Sequence, residues 1–301
     1  MRFILLSDVH ASSKTPMARK DDISKTWREK MDFVFFQAKR YRAIILQAGD
    51  LSDKSRDWGV LDGYVDLFNK YPDVKMFCTT GQHDLYMRSA INEVPTAMSI
   101  LLKTKRLHVL SNKPEIIGGV KVYGAGWKQS LPKPKRSKNI LVIHANISDE
   151  VLFPSHRPES TTSILQKHQE FDLILAGDVH RHVLRRTSNN RILVNTGPML
   201  RMEAEEYNLQ HKPCCYLYNS ETKDIKKIAI PHKPAREVLS FAHKNKKETR
   251  TNKTLSEAVN LLQQFKKSGK TTKEKIYEAM QTTKLSDTTI KIITEALAHE
   301  P

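Results

Sequence analysis

Residues 44–53, Ile-Ile-Leu-Gln-Ala-Gly-Asp-Leu-Ser-Asp, form a short apolar run that stops at Gly49 and continues into Asp50 and Asp53. A run of this length, rich in β-branched residues and closed by glycine, predicts a buried strand that enters a loop. A carboxylate just after a buried strand lies where open α/β sheets bind their ligands. Taken alone, the Gly49-Asp50 pair is typical of an ordinary turn, because both residue types are common in turns.

Four further apolar runs end in the same way, in side chains that bind metal ions. They lead to Asp8 and His10, to Gln82, His83 and Asp84, to His144, and to Asp178 and His180. Strand ends that offer carboxylate, imidazole and amide groups without cysteine predict hard-to-borderline divalent metals. A carboxylate with histidine on both sides suits two ions about 3.5–4 Å apart, the arrangement that hydrolyses phosphate esters. We therefore predict a two-metal site organised around Asp50.

The order of these motifs is Asp-x-His, Gly-Asp-x-x-Asp, Gly-Gln-His-Asp, an isolated His and Gly-Asp-x-His. This set resembles the calcineurin-like metallophosphoesterases over roughly the first 200 residues. Gln82 stands where the family has asparagine, and Asp178 stands where it has the first histidine of the last motif. The resemblance implies an α/β four-layer sandwich, in which two mixed β-sheets are flanked by helices. We assign residues 216–230, predicted as a last hairpin, to the second sheet.

The resemblance also implies the role of each site residue. One metal takes Asp8, His10, Asp50 and His180, and the other takes Asp50, Gln82, His144 and Asp178. His83 is the general acid that protonates the leaving oxygen, which contributes about 10²–10⁴ in rate. Asp53 and Asp84 are expected to orient His83 or a ligand. Both ions are divalent; Mn²⁺ fits best, and Mg²⁺, Fe²⁺ and Zn²⁺ stay open.

The two departures from the family pattern act in opposite directions. Gln82 keeps an amide oxygen on a side chain longer by one methylene, which weakens the second metal site unless the backbone sits further back. Asp178 replaces a neutral ligand by an anionic one, which offsets that weakness and favours a harder ion such as Mn²⁺.

The net charge of +17 and the isoelectric point near 9.7 are large for 301 residues. They predict attraction to a polyanion, most simply nucleic acid, although a solubilising surface is the alternative. No apolar run is long enough to span a bilayer, and the first run is too short for a secretory signal. The three cysteines indicate core thiols of a reducing compartment, so we expect the cytoplasm of a bacterium or of a phage-infected host.

Apolar residues at helical spacing predict helices over residues 27–41 and 58–71, and a third over residues 89–103 that a proline interrupts. Residues 11–26 and 128–138 are polar and basic, and both are predicted to be exposed loops. For each loop, DNA contact and plain solvation are equally open.

The chain divides into three predicted parts. Residues 1–231 are the metallophosphoesterase domain, residues 232–253 a basic linker poor in apolar groups, and residues 254–301 a helical module. Capping boxes that begin at Thr254 and Thr271 each precede an apolar stripe at helical spacing. Such short amphipathic helices bury too little surface for a robust core. We favour the interpretation that these helices bind a partner. The alternative is that they fold alone as a terminal mini-domain.

Within the superfamily, the small size, the basic charge and the helical tail most resemble the SbcD-type DNA-repair nucleases, including those of phages. This resemblance implies exonuclease and endonuclease activity on DNA, with the tail anchored to an SbcC-type, SMC-like ATPase. A homodimer stays open. The alternatives are a protein phosphatase or small-molecule phosphodiesterase, a noncatalytic scaffold of the same fold, and a DNA-binding module that uses the tail.

Overall fold

The computed structural model describes residues 1–89, 94–153 and 155–240, and within them twelve strands form two six-stranded sheets. The strands of the first sheet are β1 Arg2–Leu6, β2 Ile44–Gln47, β3 Met76–Cys78, β4 Leu107–Val109, β11 Cys214–Asn219 and β12 Ile225–Ala229. Those of the second are β5 Glu115–Ile117, β6 Val120–Ala125, β7 Asn139–Ala145, β8 Leu173–Asp178, β9 Val183–Arg186 and β10 Ile192–Asn195. Their orders are β12-β11-β1-β2-β3-β4 and β5-β6-β7-β8-β10-β9.

The helices are α1 Ile23–Tyr41, α2 Trp58–Lys70, α3 Ala97–Lys103, α4 Thr161–Lys167, α5 Glu206–Gln210 and α6 Ala235–Val238. Helices α1, α2 and α4 cover the outer faces of the sheets, whereas α5 and α6 pack against each other. Successive residues of a strand face opposite sides, so Ile45 packs in the core under α1 and α2, whereas Leu46 packs between the two sheets. Ile143 packs with Ile164 of α4 on the far side. The layers are helix, sheet, sheet, helix, which confirms the predicted four-layer α/β sandwich.

Parallel pairing brings the metal-binding motifs together. β1, β2, β3 and β4 are parallel to one another, and so are β6, β7, β8 and β10. The carboxyl ends of parallel strands meet at one edge of a sheet, and the loops that follow them form a crevice there. The motif residues of both sheets lie in or next to these loops.

Three predicted elements differ from the structure. The exposed loop expected over residues 11–26 ends at Asp22, which caps α1 at Ile23, and both Arg19 and Ile23 are buried. The helix expected over residues 89–103 begins only at Ala97, where Thr96 and Ser99 form a reciprocal capping box directly after Pro95. Residues 90–93 lie outside the described part of the chain. The hairpin of β11 and β12 belongs to the first sheet and not the second, because β11 pairs antiparallel with β1.

The expected linker begins too early in the sequence. α6 lies inside it, and Val238 and Leu239 are buried. Lys20 N donates to Val238 O at 2.9 Å, and Ser240 N donates to Ala18 O at 2.8 Å, so the compact domain continues through residue 240. Residues 241–253 of the linker and the helical module at 254–301 lie outside the described residues.

The basic segment at residues 128–138 connects the carboxyl end of β6 to the amino end of β7, so it spans the second sheet along the direction of its strands. It leaves β6 beside the metal-binding motifs and enters the parallel strand β7 at the opposite edge. There Lys138 Nζ lies 2.7 Å from Glu221 Oε2, and Arg136 is 3.8 Å from Asp172. The second half of the segment is therefore remote from the motif residues. Among the described residues, no helix is long and apolar enough to cross a membrane.

Candidate metal centre

Two groups of side chains converge at the carboxyl ends of the parallel strands, and Asp50 takes part in both. In the first group, His10 Nε2 lies 2.8 Å from His180 Nε2 and 3.7 Å from Asp50 Oδ2. His180 Nε2 lies 4.0 Å from Asp8 Oδ1. Two imidazole nitrogens that face each other beside two carboxylates offer the ligand types of Mn²⁺, Fe²⁺ or Zn²⁺.

The second group is built around His144, near the end of β7. His144 Nε2 lies 2.7 Å from Gln82 Oε1, 3.5 Å from Asp50 Oδ2 and 3.7 Å from Asp178 Oδ1. The amide nitrogen of Gln82 donates to Asp178 Oδ1 at 3.0 Å. The extra methylene of Gln82 thus does not keep its oxygen away from the group, and both departures from the family pattern meet at this one position.

Unpaired carboxylate oxygens show that these residues fit a pair of cations. Asp8 Oδ1 accepts from Asp178 N at 2.9 Å, and Asp50 Oδ1 accepts from His83 N at 2.8 Å. In the described part of the chain, Asp8 Oδ2 and Asp50 Oδ2 are buried and accept no hydrogen bond. Burying an unpaired charge is costly, so buried carboxylates are paired or coordinate metals. Asp50 Oδ2 lies between the two groups, where one oxygen would serve both ions.

A model of the calcineurin-like phosphoesterase family matches residues 1–182, which is more than half of the chain. The chain belongs to this family. No curated protein matches it. The family binds two divalent metals, and this calcineurin-like phosphoesterase is accordingly a metal-dependent hydrolase with candidate ligand groups in place. When bound, such ions polarise phosphoryl oxygens and lower the pKa of a water molecule.

The backbone of the phosphoesterase is strained where it presents three of these side chains. His10, Asp50 and Asp178 have φ angles of 50°, 53° and 90°, in the region that L-residues avoid. Such conformations cost about 1–3 kcal/mol each and cluster at functional sites. Close approach adds a second constraint, because a β-carbon at Gly81 would collide with the carboxylate and the backbone nitrogen of Asp50.

The hydrogen-bond partners of His144 favour a positive charge on its imidazole ring or on an ion bound to it. Nδ1 lies 2.7 Å from Ala48 O, and Nε2 faces the carbonyl oxygen of Gln82. Carbonyl oxygens only accept, so without a metal both ring nitrogens must donate. Burial opposes this charge, but Asp50 and the other carboxylates outweigh it and raise the pKa of His144 to about 10. His144 is thus a residue that would hold a metal ion, whose positive charge would take the place of that proton.

His10 and Asp50 have the opposite protonation tendencies. Burial and the neighbouring His180 hold the pKa of His10 well below its usual value, so its imidazole is neutral, the form that binds metal. Burial alone would raise the pKa of Asp50, but the nearby His144, with Nε2 3.5 Å from Asp50 Oδ2, outweighs burial and lowers it. The shared carboxylate is therefore ionised at any working pH.

His83, expected to be the general acid, lies beside the first group. Its Nδ1 is 2.8 Å from Asp53 O, so Nδ1 is protonated and donates to that carbonyl. The Asp53 carboxylate is further away, with Oδ1 4.0 Å from His83 Nδ1 and 3.9 Å from His10 Nδ1. Asp53 orients His83 mainly through its main chain. The other ring nitrogen, on a side chain 25% exposed, is left for a substrate.

Asp84 is next to His83 in sequence, but its carboxylate binds backbone N–H groups and not the His83 ring. Its carboxylate accepts hydrogen bonds from Leu51 N at 2.9 Å, Gly81 N at 3.0 Å and Ser52 N at 3.2 Å. Burial and the nearby Asp50 raise its pKa to about 7. These bonds tie the loop after β2 to the loop after β3, so Asp84 positions Asp50.

A set of polar side chains behind the ligands was not predicted from the sequence. Ser7 N donates to Thr196 Oγ1 and Thr196 N donates to Ser7 Oγ, each at 2.9 Å, and Ser7 Oγ donates to Ala176 O at 2.7 Å. Gln47 Nε2 donates to Ser7 O at 3.0 Å. These bonds join strand ends of the two sheets directly behind Asp8. The available signal was the presence of Ser7 and Gln47 at the ends of otherwise apolar strands.

Proposed function

We propose that the chain is a two-metal-dependent DNA nuclease, with exonuclease and endonuclease activity, that acts in DNA repair or recombination. One ion is assigned to Asp8, His10, Asp50 and His180, and the other to Asp50, Gln82, His144 and Asp178. His83 protonates the leaving oxygen. The observation that carries the choice of DNA is a basic and aromatic surface on the loops that hold these residues.

This surface, which we call the rim platform, consists of Lys54, Arg56, Trp58 and Tyr86. The Arg56 guanidinium lies 5.8 Å from the ring centre of Trp58 and 5.7 Å from that of Tyr86. Trp58 is 49% exposed, although it is a large apolar side chain. The platform stands on the segments that directly follow Asp53 and His83, so it borders the candidate metal centre.

A second basic and aromatic pair lies at the other side of the loop after β3. Lys128 Nζ is 4.2 Å from the ring centre of Trp127, and Trp127 N donates to Thr80 O at 2.8 Å. Cationic side chains neutralise backbone phosphates, and aromatic rings stack on unpaired bases at about 1–3 kcal/mol per base. A small phosphate ester needs no such surface, whereas a DNA strand drawn across the centre uses both kinds of side chain.

Other basic residues of the sequence do not support the proposal. Arg19, in the basic loop at residues 11–26, is buried and pairs with Asp21 at 2.6 Å, so it is not offered to a DNA backbone. Arg136 and Lys138 lie at the opposite edge of the sheet, in ion pairs with Asp172 and Glu221. The proposal that the substrate is DNA therefore rests on the basic residues beside the metal centre, and only secondarily on the net charge of +17.

Cleavage of single- and double-stranded DNA in Mn²⁺ tests the proposal, with an Arg56→Gln/Trp58→Ala variant beside the wild type. We expect this variant to lose about tenfold or more in kcat/KM on DNA, because a stacking surface and a phosphate contact are removed. Hydrolysis of bis(p-nitrophenyl) phosphate, which has no neighbouring nucleotides for the platform to bind, should stay unchanged. The salt dependence of DNA cleavage should become less steep.

Arg40 and Tyr41 provide the matched control, because they form a similar cation–aromatic pair at 5.6 Å at the end of α1, before β2 begins. Arg40→Gln/Tyr41→Ala should cut DNA like the wild type. A wild type that cuts no DNA but hydrolyses phosphoprotein or a cyclic nucleotide would instead be a phosphatase or a small-molecule phosphodiesterase. Absence of hydrolysis with every divalent metal would indicate a noncatalytic scaffold.

We propose further that residues 254–301 bind an SbcC-type, SMC-like ATPase. These residues lie outside the described part of the structure, and the proposal rests on their amphipathic stripes and on the resemblance to SbcD-type nucleases. Deleting residues 250–301 should leave Mn²⁺-dependent hydrolysis intact and abolish co-purification with the ATPase. Loss of metal binding in the truncated protein would contradict the separation of the two parts.

A further inference from the structure

A pocket on the outer side of α1 contains more buried positive charge than its neighbours neutralise. It has a volume of about 210 Å³, and its wall includes Arg19, Lys30, Arg201, His232 and Lys233. Arg19, Lys30 and Arg201 are only 6%, 4% and 3% exposed. Lysine and arginine are almost never this deeply buried unless an anion pairs with them.

The charge of Arg19 is neutralised by the Asp21 carboxylate. Its Nε and Nη2 donate to the two carboxylate oxygens of Asp21 at 2.8 and 2.6 Å, and its Nη1 donates to Arg201 O at 3.0 Å. Asp21 also accepts from Thr26 Oγ1 at 2.6 Å. Both oxygens of Asp21 are therefore in use, and this carboxylate is not free to pair with a second cation.

Lys30 and Arg201 lack such a partner. Lys30 Nζ donates to Met199 O at 2.7 Å, and Arg201 Nη2 donates to Lys233 O. Among the described residues, no carboxylate oxygen lies within the 4.0 Å ion-pair distance of either cation, and Arg201 Nε is buried without any hydrogen-bond partner. Glu29, at the mouth of the pocket, is exposed and pairs with Lys25 at 3.9 Å.

The pKa of Lys30 reflects its burial beside other cations. Burial, followed by the charges of Arg201 and Arg19, lowers the pKa of Lys30 to about 7. Two buried cations that face one cavity without an anion are costly, since a buried charge is tolerated only when it is paired. An anion in the cavity would remove that cost.

We propose that this pocket is an oxyanion site, in which Lys30 and Arg201 bind a phosphate ion or the phosphoryl group of a phosphate ester. When Lys30 is protonated, three cationic side chains with one carboxylate leave an excess of two positive charges, which matches a dianion. Arg201 Nε and the ammonium of Lys30 supply charge-assisted donors of the kind that bind phosphate oxygens. Lys233 and His232 also line the pocket, and Lys233 is exposed to solvent.

The oxyanion site is separate from the candidate metal centre. None of the seven proposed metal ligands lines the pocket. The nearest link is Met199, whose carbonyl accepts from Lys30 and whose N–H donates to Asp8 O at 2.8 Å. The site is therefore testable without metal, and its failure would leave the proposed nuclease function untouched.

Calorimetric titration of the full-length, metal-free protein with inorganic phosphate, at constant ionic strength in chloride, tests the oxyanion site. We expect phosphate to bind the wild type and to bind Lys30→Met and Arg201→Gln about tenfold or more weakly, since each loses charged hydrogen bonds. Arg28→Gln, a change on the same helix in a side chain that pairs with Asp62 and Asp66, should bind like the wild type. His83→Ala should also do so, because its change lies in the metal centre.

Thermal unfolding gives a second measurement that a purely structural role would not reproduce. Phosphate should raise the melting temperature of the wild type and leave that of Lys30→Met unchanged. In chloride alone, Lys30→Met should unfold at the same temperature or higher, because it removes an uncompensated buried charge. Arg201→Gln repeats the test if Lys30→Met does not fold.

Short oligonucleotides distinguish the two sources of the phosphoryl group. A 5′-phosphorylated strand that competes with free phosphate, while its 5′-hydroxyl counterpart does not, would assign the site to a DNA end; competition by neither would assign it to the free ion. The proposal is overturned if metal-free wild type binds no phosphate. It is also overturned if binding survives in both Lys30→Met and Arg201→Gln or disappears in His83→Ala.

Discussion

Asp50→Asn is expected to lower hydrolysis about a thousandfold or more and to remove tight Mn²⁺ binding. The Asp50 carboxylate has one oxygen bound by His83 N, while the other lies 3.7 Å from His10 Nε2 and 3.5 Å from His144 Nε2. The amide keeps the first contact but removes the charge and places a donor or a neutral oxygen at the shared position. Metal-ion stabilisation of the transition state is worth several kcal/mol, and each 1.36 kcal/mol is tenfold in rate.

Isothermal titration with Mn²⁺ and hydrolysis of bis(p-nitrophenyl) phosphate measure the two effects separately. Asp66→Asn is the control, because that carboxylate is exposed on α2 and, among the described residues, pairs only with Arg28 at 3.2 Å. Surface pairs of this kind contribute about 0–1 kcal/mol, so the control should keep its activity. If Asp50→Asn retained two bound Mn²⁺ ions at wild-type affinity, the shared-carboxylate arrangement would be wrong.

His83→Ala should lower the rate of DNA cleavage by about 10²–10⁴ while leaving Mn²⁺ binding intact. The main-chain N–H of residue 83, and not the ring, holds Asp50 Oδ1, so removing the imidazole does not disturb the shared carboxylate. The ring is oriented by its hydrogen bond to Asp53 O and offers its other nitrogen to the substrate. Its expected task is to deliver a proton to the leaving oxygen.

The leaving group makes this prediction specific. A nitrophenolate leaves without protonation, so His83→Ala should hydrolyse a nitrophenyl ester at a rate close to that of the wild type. An alkoxide, as in DNA, needs the proton and should show the full loss. His108→Ala, which changes a ring that stacks on Phe77 in the first sheet, is the control. Equal losses on both substrates would assign His83 to metal binding, since it also lies within 4.8 Å of ligand atoms of His10 and Asp50.

Much of the fold and the candidate ligands could be predicted because the information is local. An apolar run that stops at glycine marks a buried strand and its end, and strand–helix–strand order implies parallel pairing. The placement of the β11 and β12 hairpin could not be predicted in this way. Its alternation is compatible with either sheet, and only the pairing of β11 with β1 decides between them.

The roles of individual side chains were less predictable than their positions. Asp53 and Asp84 are both aspartates next to the motifs, yet one acts mainly through its carbonyl and the other through backbone N–H groups. Which atom of a residue reaches its neighbour depends on backbone direction, and the left-handed conformations at His10 and Asp50 change that direction abruptly. A sequence pattern contains no such directional information.

By itself, the sequence determined the family, the order of the strands that lead to the motifs, and the set of side chains available to two ions. These follow from residue type and spacing along the chain. Only the tertiary structure decided which charges are neutralised and which are not. Arg19 is paired and buried, Lys30 and Arg201 are buried without an anion among the described residues, and Arg56 lies near the exposed ring of Trp58 and the half-buried ring of Tyr86. The physical reason is that the cost of a charge depends on its burial and on partners as far as 182 residues away in sequence, as in the hydrogen bond from Arg19 Nη1 to Arg201 O.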